Sequence, residues 1–428
     1  VTTLEAISSG VTAKAASLDP QKLTPGMRQY VEQKKRIGEA ILFFRMGDFY
    51  ETFYEDAVLC SKVLGITLTS RSKDNPVPLA GIPYHALDGY LAKLVAAGYK
   101  VAISEQMEKA SEAKGVVKRD IVRVVTAGTL TDDNLLSDRD DNLLAAICVT
   151  KKEVGLALVE LASGRFEVID PDHATLLDEL VRAHPAELLI VDGHADVKAI
   201  AENLHGLCGA MTTRRPDFEF ADYQAKQTLH EHFDVATLAG FGFEKMTPSL
   251  CAAGALIQYL QETQKTSLEH ITKVTRRACE DYLQIDHSTW RSLEVDRTLR
   301  SGAREGTLLF AIDQTIHPIG ARKLRHWLRR PLIDAAQILR RQDGIGFLVE
   351  HGTERQQVRQ RLHRLADVER IASRVALARA NPRDLLGLAN ALIALPSLQQ
   401  PVADSRVEML DDIHADLDGL DALAKELK

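Results

Sequence analysis

The chain has 428 residues, 45% of them hydrophobic, and carries a formal charge of -7. That length is too great for one ordinary core and predicts about three domains. The acidic balance excludes attraction to nucleic acid through global charge, so any such binding must come from local basic faces. Cys60, Cys148, Cys208, Cys251 and Cys279 are widely spaced, with neither a CxxC nor a Cys/His cluster. They fit reduced thiols in a cytoplasmic protein rather than a disulfide framework or a metal site. No targeting pattern opens the chain and no stretch approaches the roughly 18 apolar residues of a membrane span, so no membrane partner is expected.

Residues 1–22 are small and polar and read as a flexible tail. TPGMRQYVEQKKRIG then places Thr24 as cap, Pro25 at the first helical position and Gly38 just past the end of a helix. AILFF reads as a buried strand and Met46-Gly47-Asp48 as a turn. Phe49, Phe53 and Ala57 share helical spacing, which predicts a helix from Phe49 to Leu64. A strand at ITLTSR, a proline-broken loop at NPVPLAGIP, a helix from Tyr84 to Ala97 and strands KVAISEQ and DIVRVVT complete a mixed-sheet α/β domain over 23–133.

Over 134–265, the runs NLLAAICVT, VGLALVEL and RFEVID predict an antiparallel meander, followed by alternating helices and strands. From about residue 266 to 428 the pattern is helical, with Asn381-Pro382 and Asp384 forming a helix start. The run RKLRHWLRR (322–330) divides by helical spacing into an apolar stripe of Leu324, Trp327 and Leu328 and a basic, solvated back. A phosphate-binding face is its rival reading.

The chemistry-bearing feature is FFRMGDFYETFY (43–54), where six of the chain's 23 aromatic residues fall in 12 positions. Aromatic clusters are usually core. Phe49-Tyr50-Glu51 beside Gly47 also suits insertion between stacked bases, where a ring replaces lost stacking and a carboxylate addresses a base edge. A correct duplex resists such wedging because unstacking costs a few kcal/mol, whereas a mismatch kinks more cheaply. Arg45, Thr69, Arg71, Lys118, Arg119 and Arg123 are the candidates for holding the DNA backbone, with a solvated face as the alternative for each.

FFRMGDFYETFYEDA, LAGIPYHALDGYLAKLVAAGYKVAISEQ (79–106) and VVTAGTL (124–130) together resemble the amino-terminal part of the MutS family of DNA mismatch-repair proteins. LQIDHSTWRSLEV, GTLLFAIDQTIHPIGARKLRHWLRRPL and LADVERIASRVALARANPRDL are similar to the family's core segments, in the same order. The resemblance implies that Phe49 enters the minor groove and stacks on a mispaired base while Glu51 bonds its edge, with Tyr50 facing the core. It also implies a ribonuclease H-like connector domain and an all-α core with the start of levers.

A complete family member would be an ATP- and magnesium-dependent homodimeric clamp that recruits a MutL-type partner. No GxxxxGK[ST] loop occurs here, so this chain is expected to bind no cofactor, to hydrolyse no ATP and to be monomeric. Two other classes stay open. The connector fold invites a nuclease, although Glu160 and Asp170 are too few for two-metal cleavage. A helical interaction protein would use the aromatic cluster only as core.

Overall fold

The computed structural model describes residues 23–70, 77–108, 115–132, 135–417 and 420–427. The predicted tail (1–22) and the candidate Arg71 lie outside these residues. Two compact units result, one holding the described residues up to 136 together with 258–267, the other holding 137–257 and the chain from 268 onward.

The first unit is built on a six-stranded sheet of β1 (Ile41–Met46), β2 (Phe49–Phe53), β3 (Thr69–Ser70), β4 (Pro78–Pro83), β5 (Val101–Gln106) and β6 (Arg119–Val125), in the order β3-β4-β2-β1-β5-β6. Strand β1 is parallel to β5 and antiparallel to β2, and its apolar run is covered on both faces by packed side chains. Ile41 and Phe43 face the helices Tyr54–Leu64 and Leu87–Ala96, whereas Leu42 and Phe44 face Tyr30 and Val31 of the helix Pro25–Ile37. Alternation along the strand thereby fills two cores at once. At the back of the sheet, Lys34 Nζ meets the buried Asp56 carboxylate at 2.9 Å, and Tyr30 Oη donates to the same group at 3.2 Å.

The predicted helix from Phe49 is corrected by this sheet. Residues Phe49–Phe53 form β2, paired with β1 on one side and β4 on the other, and the helix begins only at Tyr54. The i, i+4 spacing of Phe49, Phe53 and Ala57 was a coincidence that pairing partners on both sides overrode. Tyr54 turns the corner with φ +54°, a strained setting for an aromatic residue. The predicted loop NPVPLAGIP is largely strand β4, because Pro78 and Pro83 occupy its first and last positions, where the missing N–H is tolerated. Of the described residues of ITLTSR, Thr69 and Ser70 form β3, and Tyr84–Ala86 is a 3₁₀ turn ahead of Leu87–Ala96. Pro25 and Gly38 punctuate the first helix as expected, but no side chain caps it at Thr24.

The second unit carries a sheet ordered β11-β10-β7-β8-β9-β12, formed by β7 (Leu143–Val149), β8 (Val154–Glu160), β9 (Arg165–Ile169), β10 (Glu187–Val191), β11 (Met211–Arg215) and β12 (Thr275–Arg276). The predicted meander is β7-β8-β9, all antiparallel, and β10 and β11 add in parallel beyond β7. Leu176, Leu180, Val197, Ala201 and Leu204 of two helices close its core. Gly155 must be glycine, since a Cβ there would lie 1.9 Å from the backbone nitrogen of Ser249. Beyond β12, helices run from His287–Ser292 to Asp421–Glu426, so the helical region starts later than residue 266.

The run 322–330 is corrected too. Arg322, Arg325, Arg329 and Arg330 are buried, while Leu324, Trp327 and Leu328 are only half-buried. Their charge is met by Asp367 (2.7 Å), Asp140, Asp296 (2.6 Å) and Glu167 (3.2 Å) respectively. Further on, Asn381 and Asp384 form a reciprocal capping box. The stretch Pro382–Val402 behind it is long and apolar enough to cross a membrane by length and composition, contrary to the expectation, and is one-third buried within the unit. Ala389, Ala391, Leu392 and Leu398 are among its buried residues.

Candidate nucleic-acid interface

Strands β1 and β2 are joined by the two-residue turn Gly47-Asp48, with Met46 opposite Phe49. Gly47 has φ +61° while Asp48 stays at negative φ, the pattern of a hairpin turn with glycine first. The hairpin therefore ends on Phe49. Five of the six clustered aromatics behave as core or half-buried residues, with Phe43, Phe44, Tyr50 and Phe53 at 3% exposure or less, whereas Phe49 is 47% exposed. Phe49 is thus the one large ring of the cluster that the core leaves exposed.

Period two puts Phe49 and Glu51 on one face of β2 and Tyr50 on the other. Tyr50 stacks on Phe43 at 6.2 Å, and its hydroxyl donates to the Glu105 carboxylate. Burial, then Glu105, pushes its ionisation far above the ordinary range, so it stays a donor. Beside Phe49 and Glu51 lies Gly81 of β4: a Cβ there would sit 3.9 Å from the Phe49 ring and 3.6 Å from the Glu51 Cγ. A bare backbone flanks the ring and the carboxylate, leaving room for a flat ligand.

The candidate cations divide. Arg45 donates from Nε to the Gly47 carbonyl at 2.5 Å, lies 3.8 Å from Glu105 and covers the Tyr84 ring at 4.1 Å. Arg119 is buried; its Nε donates to the Arg45 carbonyl at 2.6 Å and its Nη1 to that of Val117 at 2.8 Å. With its amide oriented to satisfy its neighbours, Gln106 accepts from Gly47 N and Arg119 Nη2, each at 3.3 Å. These residues brace the hairpin from below. Arg123 is paired with Asp132 at 2.8 Å. Lys118 and Thr69 are exposed, the latter on β3 at the sheet edge.

Sequence reasoning missed the partners that hold the hairpin. Tyr84 donates its backbone N–H to the Asp48 carbonyl at 2.9 Å, which gives GIPYHA a structural task. Gly81 had a visible signal, a lone glycine between prolines in an apolar run, whereas Gln106 had none. Elsewhere, Glu160 is held by Arg165 at 3.2 Å and Asp170 by Arg276 at 3.3 Å. Among the described residues, no group of three or more His, Cys, Asp or Glu could hold a metal ion.

Comparison with known proteins now bears on this geometry. Models of MutS domain I, MutS domain II and MutS domain III match residues 24–134, 142–272 and 288–427. The chain is 42% identical over 411 residues to the DNA mismatch repair protein MutS of Symbiobacterium thermophilum, an alignment covering 94% of this chain and 47% of that relative. It therefore spans about half the length of the curated relative it matches. With three successive domain models in order and one long alignment behind it, the chain belongs to the MutS family.

Proposed function

We propose that this chain recognises mispaired DNA, with Phe49 as the wedge that stacks on a mispaired base in the minor groove and Glu51 as the group that bonds its edge. The observation that carries the reading is a large ring left half-exposed at the end of a hairpin that is pinned on both sides, by Tyr84 and by Arg119. A wedge must be stiff, since a mobile ring would spend its stacking energy on its own ordering. Mismatches yield because part of their stacking is already lost. Lys118 and Thr69 are the exposed candidates for phosphate contact, and Arg45 and Arg119 act through the hairpin they position.

On this reading, residues 23–133, 134–265 and 266–428 are the recognition, connector and core domains. The strand order β9-β8-β7-β10-β11 supports a ribonuclease H-like connector, and the guanidiniums on Glu160 and Asp170 argue against a nuclease. The whole protein would be a cytoplasmic homodimeric clamp using ATP and magnesium and working with a MutL-type partner, and the isolated chain a monomer. The residues present here do not fit those cofactors: the sequence has no phosphate-cradling GxxxxGK[ST] loop, and recognition is routed through none.

The test is the affinity ratio between a G·T-mismatched duplex and its matched twin, for wild type and Phe49→Ala at one stated salt. The reading predicts a preference that the alanine variant loses while melting within a few degrees of wild type, as expected for a surface substitution. A preference kept intact by Phe49→Ala, or a variant that unfolds, would overturn it.

A further inference from the structure

The helix Gly352–Leu362, with His363 and Arg364 after it, buries none of its residues. Arg355, Gln356, Arg359, Gln360, His363 and Arg364 are all exposed and line an open groove of about 570 Å³ with Ile316 and Gly352. What sets these cations apart is their partners. Arg355 Nη1 donates to the carbonyls of Leu348 (2.7 Å) and Val349 (3.1 Å), Arg359 Nη1 to that of Gln314 (3.0 Å), and Arg361 to that of Ser397. Carbonyl dipoles hold a guanidinium in place without neutralising it. Asp313, next to the Gln314 that anchors Arg359, is already held by Arg139 and Arg304. The groove therefore carries unneutralised positive charge on an otherwise acidic chain.

Spacing narrows the ligand. Arg355, Arg359 and His363 recur every four residues, about 6 Å of rise apiece, and Gln356, Gln360 and Arg364 form a second row beside them. Two parallel rows of donors along an open channel suit an extended polyanion whose charges recur at comparable intervals. Guanidiniums match phosphate oxygens in pairs, and amides add donors without charge. Apart from Ile316, the groove offers no apolar wall that would select a base or a side chain.

We propose that this groove binds the phosphodiester backbone of nucleic acid, independent of sequence and of pairing. It would supply affinity, whereas the Phe49 hairpin supplies discrimination. The hairpin is judged on the ratio of mismatched to matched binding and the groove on matched duplex alone, so either can fail without the other.

The experiment titrates a matched duplex with the full chain between about 50 and 200 mM salt, the range over which phosphate contacts dominate. Arg355→Gln/Arg359→Gln should lower the slope of log K against log salt by about 1.8, or about 0.9 for each lost contact. Arg355→Lys/Arg359→Lys should keep most of the wild-type slope, and melting curves should coincide. An unchanged slope in the glutamine variant would overturn the proposal. So would an equal fall in the control Arg291→Gln/Arg297→Gln, which removes exposed charge elsewhere. Displacement of the duplex by poly-glutamate at lower concentration than by unlabelled duplex of equal charge would assign the groove to an acidic protein segment instead.

Discussion

In the helix Pro318–Arg329 the guanidiniums of Arg322, Arg325 and Arg329 are buried and end on carboxylates; in the helix Gly352–Leu362 those of Arg355 and Arg359 are exposed and end on carbonyls. The first set holds the unit together, and the second leaves charge available to a ligand. Arginine content is much the same in both stretches. The difference lies in what the rest of the chain brings: Asp140, Asp296 and Asp367 come from segments remote in sequence, and among the described residues no carboxylate pairs with Arg355 or Arg359. A basic run is therefore read by counting the acids that meet it in space, which helical spacing does not do.

The comparison breaks most sharply if Arg329→Ala is tolerated. Removing one partner leaves Asp296 as a buried, unpaired charge, so urea denaturation should give a loss of about 3–5 kcal/mol, against under about 0.5 kcal/mol for Arg359→Gln. Losses of similar size in both would erase the distinction. Acid sharpens it further. Burial pushes the Glu167 carboxyl up, but Arg330, Arg277 and Arg165 overcome that and hold it at about 2. A depressed carboxylate stabilises the fold above its unfolded value, and that stability is lost as pH falls through the folded value. The second unit should therefore weaken as pH drops from about 4.3 towards 2, by an amount of order 2 kcal/mol. Arg330→Met should flatten that dependence; a pH profile unmoved by the change would show that the pair carries no such linkage.

Local signals were legible in the sequence where the partner lies close in the chain. Pro25 and Gly38 bound a helix, Asn381 and Asp384 cap one, and the meander of β7, β8 and β9 follows its three apolar runs and the turns between them. Strand β2 was not legible, because β4, which settles its conformation, comes some thirty residues later in the chain. At the candidate site, Phe49 and Glu51 could be singled out by their chemistry and by the family resemblance, and the fold places them on one face beside Gly81. Arg45 and Arg119 were read as backbone-binding candidates. The acceptors of their Nε atoms and of Arg119 Nη1 are the main-chain carbonyls of Gly47, Arg45 and Val117, and main-chain acceptors leave no mark in a sequence. Lys118 stays exposed although its carbonyl accepts from the Met107 N–H at 2.9 Å, one step beyond the Gln106–Arg119 pair.

Stacking by Phe49 is the central claim, and it is read most directly from a fluorescent base analogue, 2-aminopurine, placed at the mispaired position of one duplex and at the same position of its matched twin. Wild type should change the emission on the mismatched duplex only, because ring contact with the analogue alters its fluorescence, and Phe49→Ala should remove that change even at protein concentrations that saturate the DNA. The same change from Phe49→Ala as from wild type would contradict the account.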